Sequence, residues 1–334
     1  MDYRYLGSSA LKVSPLCLGT MMFGGATDEP TAKRIVDKAR GQGINFLDAA
    51  DLYNGGACEE VVGRCIADNR HHWVVATKFG HNSSGKPNEG GQSRKWIFQD
   101  VEDSLRRLGT DFIDVLYFHR SDNDAPFEEP LRAIKDLMSQ GKLRYYGVSN
   151  FKAWRIAEVC RVADQLGIDR PVVSQPLYNI VDRLAEVEQL PAAGHFGIGV
   201  APYSPLARGV LSGKYDPGAP PPEGSRAGRD DVRLMQTEWR PESLDIAQAV
   251  ARRAQERGMS TVAFAIAWVL KNRLISAPIV GPRTEEQWDA YLPALDAVLD
   301  ADDDAFIDSL VPPGHASTAG YTDPAYPIEG RQAG

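Results

Sequence analysis

Asp48, Tyr53, Lys78 and His119 are the residues of this chain whose types and placing can do chemistry together. A phenol is a poor acid near neutral pH, with an ordinary pKa of about 10. An ammonium beside it stabilises the phenolate and is expected to lower that value. A carboxylate is needed to hold the ammonium, because Lys78 follows the largely apolar run Trp73-Val74-Val75-Ala76-Thr77 and a half-buried ammonium needs a partner. Asp48 is the obvious one. The phenol can then hand a proton to a carbonyl oxygen while hydride reaches the carbon, with the imidazole orienting the carbonyl. General acid catalysis of this kind contributes about 10²–10⁴-fold. No side chain supplies a hydride, so the arrangement implies a bound cofactor.

These side chains meet only if the elements carrying them converge. Short apolar runs at 16–20, 45–49, 73–78, 112–119, 144–149, 172–176, 199–204 and 277–281 read as strands, and a hairpin around Gly7-Ser8-Ser9-Ala10 precedes them. Amphipathic segments at 31–40, 59–67, 94–108, 126–139, 153–166, 183–193, 241–257 with 261–272, and 284–295 read as the intervening helices. A last helix is expected over 301–310. Gly41, Gly109, Gly141, Gly167 and Gly258 read as helix stops. Eight strand–helix cycles favour a (β/α)8 TIM barrel over an open doubly wound sheet. Right-handed crossovers then put all strand C-terminal ends on one rim, with Asp48, Lys78 and His119 closing successive strands. One domain is expected over 1–334, with an irregular tail at 312–334. The stretch 208–240, with Pro220-Pro221-Pro222, reads as a long binding loop or lid after the seventh strand.

Composition narrows the function classes. The 334 residues are 43% hydrophobic and 25% charged, which excludes a disordered or collagen-like chain. Lys and Arg number 37 against 45 Asp and Glu, so the net charge of −8 argues against a general nucleic-acid binder. The polar start and the lack of any 18-residue apolar run predict neither a signal peptide nor a membrane span. Cys17, Cys58, Cys65 and Cys160 are scattered and read as reduced thiols of a cytoplasmic protein. Neither GxGxxG nor HExxH occurs, and the six histidines show no metal-ligand spacing, so no metal is expected. The segment Gly209-Val210-Leu211-Ser212-Gly213-Lys214 falls short of a P-loop. Gly147-Val148-Ser149-Asn150-Phe151 falls short of a nucleophile elbow.

The motifs themselves resemble an aldo-keto reductase over nearly the whole chain. They are Asn45-Phe46-Leu47-Asp48-Ala49-Ala50-Asp51-Leu52-Tyr53, Val75-Ala76-Thr77-Lys78, Leu116-Tyr117-Phe118-His119, Gly147-Val148-Ser149-Asn150-Phe151 and Tyr203-Ser204-Pro205-Leu206. The resemblance implies a catalytic tetrad at Asp48, Tyr53, Lys78 and His119, with Tyr53 as proton donor. It implies an extended NAD(P)H without a Rossmann motif. Ser149, Asn150 and Gln175 would hold the nicotinamide amide, Tyr203 would stack on its ring, and Thr20 and Asp48 would lie near its ribose. Ser204, Leu206 and Gly209 would line the pyrophosphate. Lys214 and Arg226 lie in stretches similar to the potassium-channel β-subunit branch and would close over the phosphates. The segment from Gly281 through Arg283 to Gln287 resembles the family's adenosine-phosphate segment. Arg283 and Gln287 would read a 2′-phosphate, favouring NADPH/NADP+ over NADH, because a guanidinium fork suits a phosphate. Ala290 and Tyr291 depart from the family pattern at the adenine, where Tyr291 either stacks or packs on the barrel wall.

Two further expectations compete with an NADPH-dependent carbonyl reductase (or the reverse sugar or alcohol dehydrogenase). One is a cofactor-binding regulatory or redox-sensing subunit with little turnover. The other is a cofactor-free barrel enzyme using Lys78 as a Schiff-base amine. The expected partner is a small carbonyl or sugar. Met22, Phe23, Phe79, Arg120 and Asp122 are candidates for its pocket walls, and 320–326 for a cover over the mouth. Ile328-Glu329-Gly330-Arg331 resembles a protease recognition sequence, and Asn82-Ser83-Ser84 matches a glycosylation sequon.

Overall fold

The computed structural model describes residues 1–82, 84–122 and 125–328. Ser83 of the sequon and Glu329, Gly330 and Arg331 of the protease-like stretch lie outside the described residues. The chain divides into two compact units. The first comprises Met1–Leu177, Glu188–Tyr203 and Asn272–Asp289, and the second Tyr178–Val187, Ser204–Lys271 and Ala290–Gly334.

The first unit holds the barrel. A hairpin, β1 (Arg4–Tyr5) and β2 (Lys12–Val13), precedes β3 (Cys17–Gly19), β4 (Phe46–Asp48), β5 (Val74–Phe79), β6 (Ile113–Phe118), β7 (Leu143–Ser149), β8 (Val173–Gln175), β9 (Gly199–Val200) and β10 (Ile279–Val280). Among the described residues, β3 to β10 form one eight-stranded sheet in the order β10-β3-β4-β5-β6-β7-β8-β9, each neighbour parallel. The bridges Val200↔Ile275 and Tyr203↔Ile279 join its two ends, so the sheet closes as a (β/α)8 barrel.

The interior is packed rather than hollow. Cys17, Phe46, Val74, Ala76, Val115, Tyr117, Val173, Ala201 and Ala277 form its core, and Leu6 and Val13 of the hairpin join them. The hairpin approaches so closely that a side chain at Gly7 would meet Gly199 N and Val172 O at 2.6 Å.

Helices α1 (Glu29–Gly41), α2 (Ala57–Ile66), α3 (Arg94–Leu108), α4 (Glu128–Ser139), α5 (Ala153–Leu166) and α6 (Gln189–Phe196) alternate with the strands. Local chemistry sets their ends. Asp28 caps α1 by accepting from Thr31 N at 2.8 Å, Ser93 caps α3, and left-handed Gly109 and Gly167 end α3 and α5. Gly41 does not stop α1 but is its last residue; Gln42 caps it, and Gly43 beyond has φ +85°. The helix expected over 183–193 is instead a 3₁₀ turn at Leu184–Glu186 followed by α6. Pro191 has no N–H to continue a helix from 183, so the chain restarts with Pro191 in the first turn.

The second unit carries α7 (Val232–Gln236), α8 (Pro241–Glu256) and α9 (Thr261–Lys271). Helix α10 (Glu285–Tyr291) follows β10, and α11 (Ala301–Leu310) closes the series with an Asp300 capping box. Pro293 likewise cuts the helix expected over 284–295, leaving a 3₁₀ turn at Leu292–Leu295. The stretch 208–240 is more structured than a plain loop. Arg208 Nε meets Glu238 at 2.9 Å, and the rings of Tyr215 and Trp239 pack edge-on at 4.9 Å. The tail is bound within the same unit. Arg233 pairs with Asp323 at 2.6 Å, and the Arg240 guanidinium lies 3.8 Å from the Tyr321 ring centre. No helix among the described residues is long and apolar enough to cross a membrane.

Candidate active site

Three successive strand ends deliver the tetrad. Asp48 is the last residue of β4, Lys78 lies near the end of β5, and His119 directly follows β6. Tyr53 opens a 3₁₀ turn (Tyr53–Gly56) five residues after β4 ends. Lys78 Nζ donates to Asp48 Oδ2 at 2.7 Å, to the Ala49 carbonyl at 2.6 Å and to the Tyr53 hydroxyl at 3.2 Å. The Tyr53 and His119 rings meet edge-on with centres 6.1 Å apart.

Burial decides the protonation states. It works against the Lys78 ammonium, but Asp48 and then Tyr53 outweigh it and hold the lysine pKa above its ordinary range. A permanently charged amine does not suit Schiff-base chemistry. Burial likewise pushes the Tyr53 phenol up to about 12, and Lys78 only partly offsets this. The expected lowering by the ammonium is therefore present but outweighed. Burial, then Lys78, His81 and Arg120, keep the His119 pKa well below the usual imidazole value, so the ring is neutral. Its Nδ1 is buried with no hydrogen-bond partner among the described residues.

Most of the residues expected to hold nicotinamide join this network. Gln175, at the end of β8, donates Nε2 to Asp48 Oδ1 at 2.8 Å. Ser149 ends β7 and donates Oγ to the Gln175 carbonyl at 2.9 Å. Asn150 has φ 58°, unusual for a non-glycine residue, and its Nδ2 donates to the His119 carbonyl at 3.1 Å and to Ser149 Oγ at 3.0 Å. The Tyr203 hydroxyl donates to Asn150 Oδ1 at 2.9 Å. Thr20 is fully buried, and its hydroxyl donates to the Asp48 carbonyl at 2.8 Å.

In the segment expected to meet the adenosine phosphate, Gly281 is exposed and Arg283 half-buried. The Arg283 N–H donates to Gln287 Oε1 at 2.8 Å, which ties the segment's two polar residues together. Ser204, Leu206, Gly209, Lys214 and Arg226 belong to the second unit. There Ser204 has φ 57°, and the Leu206 carbonyl accepts from Gly209 N at 2.8 Å. Lys214 Nζ lies 3.1 Å from where a Gly209 Cβ would sit, over bare backbone, and has no carboxylate partner among the described residues. Arg226 is half-buried, and burial lowers its pKa; its Asp231 partner stands 3.8 Å away. The Lys214 ammonium, set over bare backbone, fits a phosphorylated ligand by donor chemistry.

Two pocket candidates prove to be core. Phe23 is 0% and Phe79 1% exposed, and the Phe79 ring packs against Phe118 at 4.7 Å. Tyr291 is also buried, which favours packing over stacking on an adenine. Met22 and Asp122 are half-buried and Arg120 exposed. One neighbour of the site has no sequence signal. The His81 ring stands edge-on to His119 with centres 4.6 Å apart, because the turn after β5 brings it back.

The aldo/keto reductase family model matches residues 15–312. The chain belongs to the aldo/keto reductase family. This aldo/keto reductase is 37% identical over 303 residues to a protein of Arabidopsis thaliana described as "Probable voltage-gated potassium channel subunit beta", covering 89% of this chain and 92% of that one. It is 36% identical over 335 residues to "Uncharacterized oxidoreductase YrpG" of Bacillus subtilis, covering 96% and 99%. The family and the oxidoreductase relative support oxidoreductase activity, and the resemblance to the channel-subunit branch holds.

Proposed function

We propose that this protein reduces an aldehyde or ketone with NADPH, or oxidises the corresponding alcohol or sugar in reverse, with Tyr53 as the proton donor. The hydrogen-bonded chain from Tyr53 through Lys78 to Asp48 carries the assignment. NADPH, when bound, supplies the hydride. Tyr53 keeps its proton across the working pH range and gives it to the carbonyl oxygen. Lys78, locked as an ammonium, then stabilises the phenolate that remains. His119, neutral and with Nδ1 buried, orients the carbonyl by hydrogen bonding.

Ser149, Asn150, Gln175 and Tyr203 are assigned to the nicotinamide end, with Thr20 and Asp48 beside its ribose. Ser204, Leu206, Gly209, Lys214 and Arg226 are assigned to the pyrophosphate. Gly281, Arg283 and Gln287 are assigned to the adenosine 2′-phosphate. The substrate class is a small carbonyl compound or sugar.

The second assignment is a cofactor-binding regulatory subunit with little turnover. It is favoured by the relatives described as potassium channel subunits. NADPH oxidation in the presence of 4-nitrobenzaldehyde and a panel of aldoses separates the two. Steady turnover is expected. Tight NADPH binding without turnover of any substrate overturns the reductase assignment in favour of the regulatory one.

A further inference from the structure

Two residues before Tyr53, Asp51 opens a second buried charge cluster that the tetrad does not use. Glu59 on α2 is fully buried. Its Oε1 accepts from Thr77 Oγ1, next to Lys78, and its Oε2 from Arg107 Nε of α3 at 2.6 Å. Arg107 also donates to Ser104 Oγ at 3.1 Å and reaches Asp100 Oδ1 only at 4.0 Å. Its Cδ lies 2.9 Å from where a Gly56 Cβ would sit, so it is wedged beneath the 3₁₀ turn that carries Tyr53.

The charges do not balance. Three carboxyls, Asp51, Glu59 and Asp100, feel the charge of one guanidinium, which pairs with Glu59 and reaches Asp100 only at 4.0 Å, and the nearby Lys78 is already paired with Asp48. Glu59 has two donors and is satisfied as a carboxylate. Asp51 Oδ1 and Asp100 Oδ2 are both buried with no donor facing them. Yet the Asp100 carboxyl is within hydrogen-bonding reach of Asp51. Two carboxylates, acceptors only, cannot bond each other, and two in contact cannot both stay ionised. No group of His, Cys, Asp and Glu among the described residues is placed to hold a metal ion. A proton is the remaining neutraliser.

We propose that Asp51 and Asp100 share one proton in an acid–carboxylate hydrogen bond that positions the Tyr53 loop against α3, and that loss of this proton at alkaline pH loosens the loop and lowers turnover. The surrounding groups agree in direction. Burial, then Glu59, push Asp51 up to about 6, against Arg107 and Lys78; burial, then Asp51 and Glu59, push Asp100 up to about 9, against Arg107. The folded chain therefore holds a proton that the unfolded chain releases above about pH 4. The unfolded state binds fewer protons in that window, so stability falls as pH rises from about 4 towards the pair's raised pKa, then levels off. Asp51 and Asp100 are positioning residues here, acting on the Tyr53 loop.

Infrared spectroscopy of the intact protein with labelled aspartate tests the proton directly. A carbonyl stretch from a protonated carboxyl is expected at neutral pH, bleaching as the pH passes about 9 and missing in Asp100→Asn. The amide of that variant keeps a donor towards Asp51 but does not titrate. Its melting temperature is therefore expected to change little from this pair between about pH 4 and 9, while that of the unmodified chain falls across that window. The ratio of alkaline to neutral turnover is expected to rise severalfold. Absence of the band, or the same pH dependence of melting in Asp100→Asn, overturns the proposal. If Asp100→Asn does not fold, Asp51→Asn removes the same proton from the other side and is read the same way. The effect on turnover rests on the Tyr53 assignment above. A chain that turns nothing over defeats that assignment, while the band and the melting profile still decide the shared proton.

Discussion

The Lys78 ammonium and the Asp48 carboxylate lie 2.7 Å apart with 0% and 5% of their side chains exposed. Neither charge reaches water, so each exists only because of the other. Removing one partner of such a pair leaves an uncompensated buried charge, at a cost of about 3–5 kcal/mol. Lys78→Met is therefore expected to lower stability by that order in urea unfolding and to remove turnover. Adding Asp48→Leu to Lys78→Met is expected to recover part of the stability and none of the activity. Additive losses would show that the two charges are not coupled.

Tyr53→Phe deletes the hydroxyl that stands 3.2 Å from Lys78 Nζ and leaves the ring. Turnover is expected to fall by about 10²–10⁴-fold or more, with NADPH affinity, read by fluorescence titration, little changed. Retention of most activity would remove Tyr53 as the acid.

Arg283 stands on the segment that leads from β10 into α10. Arg283→Ala is expected to weaken NADPH by more than about tenfold, a bidentate charge-assisted contact being worth roughly 1.5–3 kcal/mol. NADH should weaken far less. Equal loss for both cofactors would show that Arg283 does not read the 2′-phosphate.

His119 has its pKa pulled well below the imidazole norm, first by burial and then by Lys78, His81 and Arg120. The unfolded chain takes up a proton at this residue near pH 6.5 and the folded chain does not. Its contribution to stability is thus present above about pH 6.5 and is lost as pH falls below that. Nuclear magnetic resonance should show a His119 ring that stays neutral through pH 5–8. His119→Gln should flatten part of the acid-side loss of stability.

Gly63 on α2 lets the helix lie against the end of α3. A Cβ there would stand 2.4 Å from the Leu108 carbonyl oxygen and 2.6 Å from its carbon. Backbone cannot swing aside as a side chain can, so Gly63→Ala is expected to cost at least about 1–3 kcal/mol. A lower melting temperature checks this, and an unchanged one would show that the helices separate freely.

Much of the fold was readable from pattern alone. Helices α3, α5 and α11 begin and end where periodicity and caps predict. Errors fall where a second local rule competes. Pro191 and Pro293 interrupt apolar periodicity that otherwise continues through them. Phe23 and Phe79 were expected on the pocket wall because aromatics near strand ends suit both a pocket and a core, and sequence cannot distinguish the two.

The sequence by itself determined the eight strand–helix cycles and the convergence of Asp48, Lys78 and His119, because parallel strands joined by right-handed crossovers must bring their C-terminal ends to one rim. Protonation was left to the tertiary structure. The Lys78 ammonium was expected to lower the Tyr53 pKa, but burial raises it, and burial is a property of the packed barrel. The same holds for the cluster behind Tyr53. Asp51, Glu59, Asp100 and Arg107 come from a loop and two helices, and no spacing along the chain says that three acids will gather near one arginine. Residue type set which groups can titrate. Only the fold, by removing their water and choosing their neighbours, decided which of them do.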